Sequence, residues 1–299
     1  MNKIEEQLWI LLGRISPKLI SVIMYYHTFG KWPNLKNPQD ANEKIQWMKF
    51  FSDTSSWSVL ADKYAVREFV KDRGYEDTLV NLLAKWERPE DISFNNISAD
   101  SIILKTNNGT GDVVIVRDLK NANIQQIRKH FAHNIVPWEA YKLGEPHYIK
   151  IKPCIIGEEV LDSSKQAIQS TSLIDYKIWC ADGKPMYIFT CHNRDSNNVC
   201  EKMLFDIEWN ALPDALHYEK HSLRAKTLIP KPKTLDYMLK MASDLSRGFP
   251  LVRVDLYEVD GKVYFGEMTM TPAGGYNYSY SQEIMLAIGQ NVTLPPKVR

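Results

Sequence analysis

Apolar residues recur at helical spacing through the first quarter of the chain. Asp40-Ala41-Asn42-Glu43 reads as a capping box, and Ile45, Trp47, Met48 and Phe51 follow it. A second helix is predicted from near Ser56 through Leu60, Ala61, Tyr64, Ala65 and Phe69, with Gly74 as its stop. Residues 1 to about 75 thus read as helical. From about 100 the period shortens. Strands are predicted at 101–105, 113–116 and 148–151, with a helix at about 121–133. Segments 175–180 and 185–190 flank Asp182-Gly183, a hairpin signal. Leu235, Met238, Leu239, Ala242 and Leu245 place a helix at 234–246, closed by Gly248. A last hairpin joins 251–258 to 263–270. Strands mixed with helices and hairpins give an α+β class.

The last hairpin carries the most specific pattern. In 251–256 the odd positions Arg253 and Asp255 are charged and the even ones apolar; in 267–270, Glu267 and Thr269 alternate with Met268 and Met270. Side chains alternate faces along a strand, so register decides whether the polar sets meet. A two-residue turn at Asp260-Gly261 would put Asp255 and Glu267 on opposite faces. An odd-length loop, such as three residues with Gly261 in a left-handed bulge position, brings Arg253, Asp255, Glu267 and Thr269 together, and an odd loop is therefore expected. Two carboxylates and a nearby oxygen on one rigid face suit a hard cation such as Mg²⁺. The competing reading is a solvated face with an Arg–carboxylate pair.

A second candidate is Lys105-Thr106-Asn107-Asn108-Gly109-Thr110-Gly111-Asp112, lying between two predicted strands. Glycines allow successive backbone N–H groups to converge on phosphate oxygens, and Lys105 can add a charge. It is not a Walker A sequence, and an ordinary Asn/Gly-rich hairpin loop has the same composition. The cations Lys63, Arg67, Lys150, Lys152, Lys177 and Arg194 gain interest only beside these two segments.

Composition narrows the field. The 299 residues are 44% hydrophobic, enough for one large domain or two lobes with cores. A formal net charge of +1 gives no reason to expect a nucleic-acid partner, so anion recognition must be local. Cys154, Cys180, Cys191 and Cys200 form no C-x-x-C pair and read as buried small apolar residues of a reduced, cytoplasmic chain. No His lies in a motif and no signal peptide is evident. The apolar stretch 8–29 is broken by Arg14, Pro17 and Lys18; it reads as two short packed helices, with peripheral attachment to a membrane surface as the alternative.

Taken in order, these segments resemble the ATP-grasp superfamily, and within it the TupA-like branch named for teichuronopeptide biosynthesis. The resemblance runs from Asn37-Pro38 and Asn42-Glu43-Lys44-Ile45-Gln46-Trp47 through Ala61-Asp62-Lys63-Tyr64-Ala65-Val66-Arg67 and the 104–111 loop. It continues through Asp175-Tyr176-Lys177-Ile178-Trp179 and Arg253-Val254-Asp255-Leu256-Tyr257, and ends at Phe265-Gly266-Glu267-Met268-Thr269 and Pro272-Ala273-Gly274-Gly275. The resemblance implies an ATP-grasp fold, two α+β lobes clamping ATP, preceded by an N-terminal helical segment. The implied organisation is 1–60 helical, 61–152 N-terminal lobe and 153–299 C-terminal lobe.

The same resemblance implies site roles. Lys63 and Lys105 approach the phosphates, and Asn107, Asn108, Gly109, Thr110 and Gly111 form a lid over them. The segment 150–155, with Lys152, Cys154 and Ile155, lies beside the adenine, and Glu158 or Glu159 takes the ribose. Lys177 and Arg194 contact the β- and γ-phosphates. Asp255 and Glu267 hold Mg²⁺, with Thr269 standing where the superfamily usually has Asn, so one metal is expected ahead of two. Arg253 faces the transferred group. Asn108 stands where the branch leads one to expect His, and Lys152-Pro153-Cys154 replaces a commonly acidic hinge.

The activity implied is an ADP-forming carboxylate–amine ligase that uses ATP and Mg²⁺ and passes through an acyl phosphate. The branch suggests a uronic acid of a cell-surface polysaccharide or its precursor as carboxylate, and an amino acid or small amine as nucleophile. A lipid-linked acceptor would place the apolar N-terminus at the inner face of the membrane. The alternatives are a sugar kinase, a glycosyltransferase-associated polysaccharide-modifying enzyme, or a non-catalytic nucleotide-binding module.

Overall fold

The structure is a computed structural model, described here for residues 3–109, 113–195, 199–218 and 222–298. In chain order the helices are α1 (Lys3–Ile15), α2 (Pro17–Phe29), α3 (Ala41–Phe51), α4 (Trp57–Ala61), α5 (Val66–Asp72), α6 (Ile124–Asn134), α7 (Trp138–Lys142), α8 (Pro146–Ile149), α9 (Leu235–Ser246) and α10 (Gln282–Gln290). The strands are β1 (Leu82–Trp86), β2 (Ile102–Thr106), β3 (Val113–Val116), β4 (Ile155–Glu158), β5 (Asp175–Ala181), β6 (Lys184–His192), β7 (Cys200–Asp206), β8 (Ser222–Arg224), β9 (Val252–Val259) and β10 (Lys262–Thr269). The chain forms two compact units, one of residues 1–21, 55–69 and 80–161, the other of 22–54, 70–79 and 162–299.

The first unit holds a four-stranded antiparallel sheet in the order β1-β4-β2-β3. Ile102 and Leu104 alternate with partly exposed neighbours, as the two-residue period demands. They pack with Ile92, Val116 and Ile155 against Ile127 and Phe131 of α6. Asn123 caps α6 by accepting from the Gln126 N–H. A smaller cluster joins Ala61, Ala140, Tyr148 and Ile151.

Two sequence expectations fail in this unit. The predicted strand at 148–151 is instead the end of α8 and the turn after it. Pro146 at the first helical turn fixes φ without wasting a donor, and Tyr148 and Ile151 face one cluster at a spacing of i, i+3. The predicted helix from Ser56 to Phe69 is broken. The Asp62 carboxylate accepts from the Tyr64 and Ala65 N–H groups at 2.8 and 3.1 Å, which stops α4 and starts α5.

The second unit is built on a six-stranded sheet in the order β10-β9-β5-β6-β7-β8, antiparallel except where β8 joins β7. Helix α9 lies against β5, β6 and β9. Its stripe of Leu235, Met238, Met241, Ala242 and Leu245 is fully buried, and Gly248 ends it at φ +90°. The facing side chains Ile178, Val252, Val254 and Leu256 are also buried. Each such side chain contributes about 1.5–3 kcal/mol by leaving water. The predicted cap of α3 is present: Asp40 accepts from the Glu43 N–H at 2.9 Å. The Glu43 carboxylate reaches back to the N–H groups of Gln39 and Asn34 at 2.9 and 3.0 Å.

Candidate active site

The polar face of the large sheet follows from register. In β9 the even residues Val252, Val254 and Leu256 pair with Cys180, Ile178 and Tyr176 of β5. The odd residues Arg253 and Asp255 therefore lie on the other face, opposite Trp179 and Lys177. On β10, Glu267 is directly opposite Asp255 and Thr269 directly opposite Arg253.

That pairing arises differently from the expectation. The turn is two residues long, with Asp260 and Gly261 at φ +56° and +70° and Lys262 paired to Val259. Such a turn alone would separate the carboxylates. A β-bulge between Phe265 and Glu267 inserts Gly266 as the extra residue and shifts the register by one. The odd count sits in the strand, not the loop, and the four predicted side chains do share a face.

The contacts are dense. Arg253 donates to both oxygens of Asp255 at 2.7 Å, a bidentate pair. Its Nη2 also reaches Glu267 at 3.4 Å and the Thr269 hydroxyl at 3.2 Å. Thr269 donates to Glu267 at 3.2 Å. Lys177 pairs with Asp255 at 2.5 Å and with Asp175 at 3.5 Å, and Arg194 reaches Asp175 at 3.3 Å. Burial would lower the Lys177 pKa, but Asp175 and Asp255 outweigh it and hold it above the ordinary lysine range. Arg253 is likewise kept charged: burial opposes it, and Asp255 and Glu267 overcome that.

The sequence reading missed two members. Asp175 links Lys177 to Arg194, and the Tyr257 hydroxyl bonds to it. Asp175 and burial together push the Tyr257 pKa well up, so it stays a neutral donor. Position on the odd face of β5 and β9 was the signal that would have found both. Arg194 also donates to the sulfur of Cys191 at 3.2 Å. All four cysteines are buried free thiols.

In the first unit, Lys105 and Glu158 pair at 2.5 Å, and Arg67 takes the other oxygen of Glu158 at 3.1 Å. Lys63 donates to the Gly109 carbonyl at 2.6 Å. Asn107 is a strap. Its backbone N–H and side-chain amide donate to the carbonyls of Cys154 and Lys152, and its Oδ1 accepts from the Cys154 N–H, all within 3.0 Å. The Asn107 side chain is thereby held against the 152–154 backbone, with one of its two Nδ2 hydrogens engaged. Asn108 donates to the Ile135 carbonyl at 3.3 Å. Thr110 and Gly111 lie outside the described residues. Lys152 is exposed and pairs with Glu87 at 2.6 Å. Burial pushes the Cys154 thiol up to about 12, so it stays a neutral thiol beside Ile155 on β4.

The donor set can be tested against Mg²⁺. Among the described residues no three His, Cys, Asp or Glu side chains converge as a metal cage. Asp255, Glu267 and the Thr269 hydroxyl supply hard oxygens on one face. This suits a cation that keeps waters and arrives with phosphates, since Mg²⁺ is commonly held by one or two carboxylates plus substrate oxygens. It does not suit a dedicated protein cage.

The TupA-like ATP-grasp family model matches residues 43–293. The chain belongs to this family. No curated protein matches the sequence. Among solved structures, the chain is similar to a D-alanine–D-alanine ligase from Bacillus anthracis, at 14% identity and a TM-score of 0.44 over 85% of this chain and 68% of that one. It is also similar to the ATP-grasp ligase PsnB in complex with a minimal precursor, at 12% identity and a TM-score of 0.42 over 84% and 69%. An L-amino acid ligase from Bacillus licheniformis matches at 14% identity and 0.40 over 78% and 46%. These likenesses are remote, and no residue correspondence is taken from them. No helix among the described residues is long and apolar enough to cross a membrane. The position of this TupA-like member's carboxylates rests on its own register.

Proposed function

We propose that this protein is an ATP- and Mg²⁺-dependent carboxylate–amine ligase that joins an amino acid or small amine to a uronic acid of a cell-surface polysaccharide or its precursor. The observation that carries the reading is the cross-strand pair Asp255–Glu267, set beside Arg253 and Lys177 on one polar face. When bound, Mg²⁺ supplies charge neutralisation between the phosphates. Asp255 and Glu267, assisted by Thr269, would hold it.

The protein's own groups supply the rest. Lys177 and Arg194 orient the phosphate oxygens. A substrate carboxylate oxygen attacks the γ-phosphorus of ATP, the bond to the β-phosphate oxygen breaks, and ADP leaves. The acyl phosphate is then attacked by a neutral amine at its carbonyl carbon. Arg253, fixed by two hydrogen bonds to Asp255, stabilises the oxyanion. Inorganic phosphate departs, and the amide nitrogen gives up a proton. Positioning and charge carry the catalysis, which fits a site without a His or Cys nucleophile.

A stripe of exposed apolar residues, Leu8, Leu11, Ile15 and Leu19, supports a peripheral contact of the N-terminal helices with a membrane surface. Co-sedimentation with anionic vesicles, lost on changing Leu11 and Ile15 to Ser, tests this. The ligase reading is tested by supplying a uronate and amine panel and following products by mass spectrometry. ADP and phosphate should appear only with Mg²⁺, uronate and amine together. Release of AMP, or a phosphorylated sugar without amide, would overturn it.

A further inference from the structure

Most of the Arg253 guanidinium is already spent. Its Nε and Nη2 are held by Asp255, Glu267 and Thr269, and among the described residues only Nη1 has no acceptor. A neutral donor stands next to it. Trp179 of β5 is directly opposite Arg253 of β9, where facing side chains start about 5 Å apart at Cβ. The Trp179 indole N–H donates to the Tyr280 hydroxyl at 3.1 Å. The hydroxyl therefore sits at the tip of the side chain beside Arg253, and all three residues belong to the second unit. Arg253 retains 15% of its side-chain surface, so a ligand can reach this part of the face.

Tyr280 is held in place from several directions. Its ring meets Trp179 edge-on at 5.8 Å between centroids and meets Phe189 at 5.6 Å. Phe189 is directly opposite Lys177, so both rings belong to the polar face. The backbone is pinned as well. Tyr280 bridges to Leu216, the His217 N–H donates to the Ser279 carbonyl at 2.7 Å, and the Ser281 N–H donates to the Ala215 carbonyl at 2.9 Å. Only 8% of Tyr280 is exposed. Burial pushes its pKa up to about 12, although Trp179, Arg253 and Lys177 oppose the shift, so the hydroxyl keeps its proton at neutral pH. The oxygen accepts from the indole, and among the described residues nothing accepts the hydroxyl proton. A hydroxyl that accepts one hydrogen bond donates a stronger one. A fixed, neutral, unspent donor beside a guanidinium is what a developing oxyanion needs.

We propose that Tyr280 is a catalytic residue whose O–H donates to the substrate carboxylate oxygen that does not attack phosphorus. The proposal rests on the ligase reading, and it adds a second donor to Arg253. That oxygen becomes the carbonyl oxygen of the acyl phosphate, then the oxyanion as the amine adds, and last the amide oxygen. Tyr280 transfers no proton in any of these steps. Its hydrogen bond strengthens as charge collects on the oxygen, so it favours the transition state over the bound substrate.

The test uses the full chain and Tyr280→Phe, which keeps the ring and removes the hydroxyl. The probe is glucuronate, titrated by saturation-transfer NMR with Mg²⁺ and a non-hydrolysable ATP analogue present. Glucuronate should bind the wild type and bind the variant about tenfold more weakly, the worth of one hydrogen bond to a charged group. Affinity for the nucleotide analogue should be the same in both. The variant also deprives the Trp179 N–H of its acceptor, so its urea midpoint should fall; a tyrosine that served packing alone would show only that. In turnover per folded molecule over the uronate and amine panel, kcat should fall by about a hundredfold with the KM for ATP unmoved. Equal glucuronate binding by the two proteins, no glucuronate binding by the wild type, or a parallel loss of nucleotide affinity would overturn the proposal. Amide formed by the variant at the wild-type kcat sinks the role of Tyr280 and spares the ligase. Hydroxyl-dependent glucuronate binding with no amide from any amine sinks the ligase and spares the carboxylate site.

Discussion

Replacing Gly266 by Ala should disconnect the two carboxylates from each other. An ideal Cβ at this position would stand 2.9 Å from the Asp255 carbonyl oxygen and 3.0 Å from Tyr257 Cε2. The nearer atom is backbone and cannot rotate aside, so β9 and β10 must part or the bulge must close. Overpacking of this kind costs about 1–3 kcal/mol. With a urea m-value of about 3 kcal/mol/M, a loss of about 2 kcal/mol lowers the unfolding midpoint by about 0.7 M. If the bulge closes, the strand beyond it slips by one residue and Glu267 turns to the core face. A displacement of that size should reduce Mg²⁺-dependent turnover on the order of a hundredfold. Gly261→Ala is the matched control. Its φ of +70° strains alanine, at a cost of about 1–2 kcal/mol, but nothing lies within 4 Å of the new Cβ. That variant should lose stability and keep turnover per folded molecule. A Gly266→Ala protein with wild-type midpoint and wild-type turnover would refute the account of the bulge.

Other outcomes separate the residues by burial. Asp255→Asn should destabilise by about 3–5 kcal/mol, because Arg253 and Lys177 lose their buried counter-charge. Glu267→Gln, on a side chain 27% exposed, should cost at most about 1 kcal/mol, yet both should abolish Mg²⁺-dependent ADP release. Urea melts beside an ADP assay distinguish them, and a fully active Glu267→Gln removes that residue from the site. Leu245→Ala should cost about 2–5 kcal/mol by opening a cavity under α9, read as a lowered Tm. His192 is wholly buried with neither ring nitrogen hydrogen-bonded, and burial lowers its pKa although Glu201 opposes this. The unfolded chain therefore takes up a proton before the folded one does. Stability should fall as pH drops below about 6.5, the ordinary His value, and His192→Leu should flatten that slope in pH-stepped urea melts.

Much of this was legible in the sequence because short-range chemistry dictated it. Asp182-Gly183 does form the two-residue turn at positive φ, and α9 ends at Gly248. The alternation Arg253-Val254-Asp255 announced a two-faced strand. What escaped depended on partners distant along the chain. The bulge at Gly266 is visible only against β9. The burial of the Asn107 side chain by the 152–154 backbone depends on β4, whose four residues carried no signal of their own. Tyr148 and Ile151 looked like a strand until their shared cluster with Ala61 and Ala140 set a helical spacing. Asp175 was quoted for its neighbour Lys177, and only the pairing of β5 with β6 and β9 made it the bridge between two cations.

The face of paired charges has a consequence for the order of events at this protein. Asp175, Asp255 and Glu267 stand among Lys177, Arg194 and Arg253, one positive group for each negative one. A patch balanced in this way has little appetite for a lone divalent ion, which would have to displace ammonium and guanidinium groups and leave them uncompensated. A cation escorted by triphosphate is a different guest, because its surplus negative oxygens can re-engage the displaced groups. Free Mg²⁺ should therefore associate feebly in calorimetry, and the metal–nucleotide complex should load as one species.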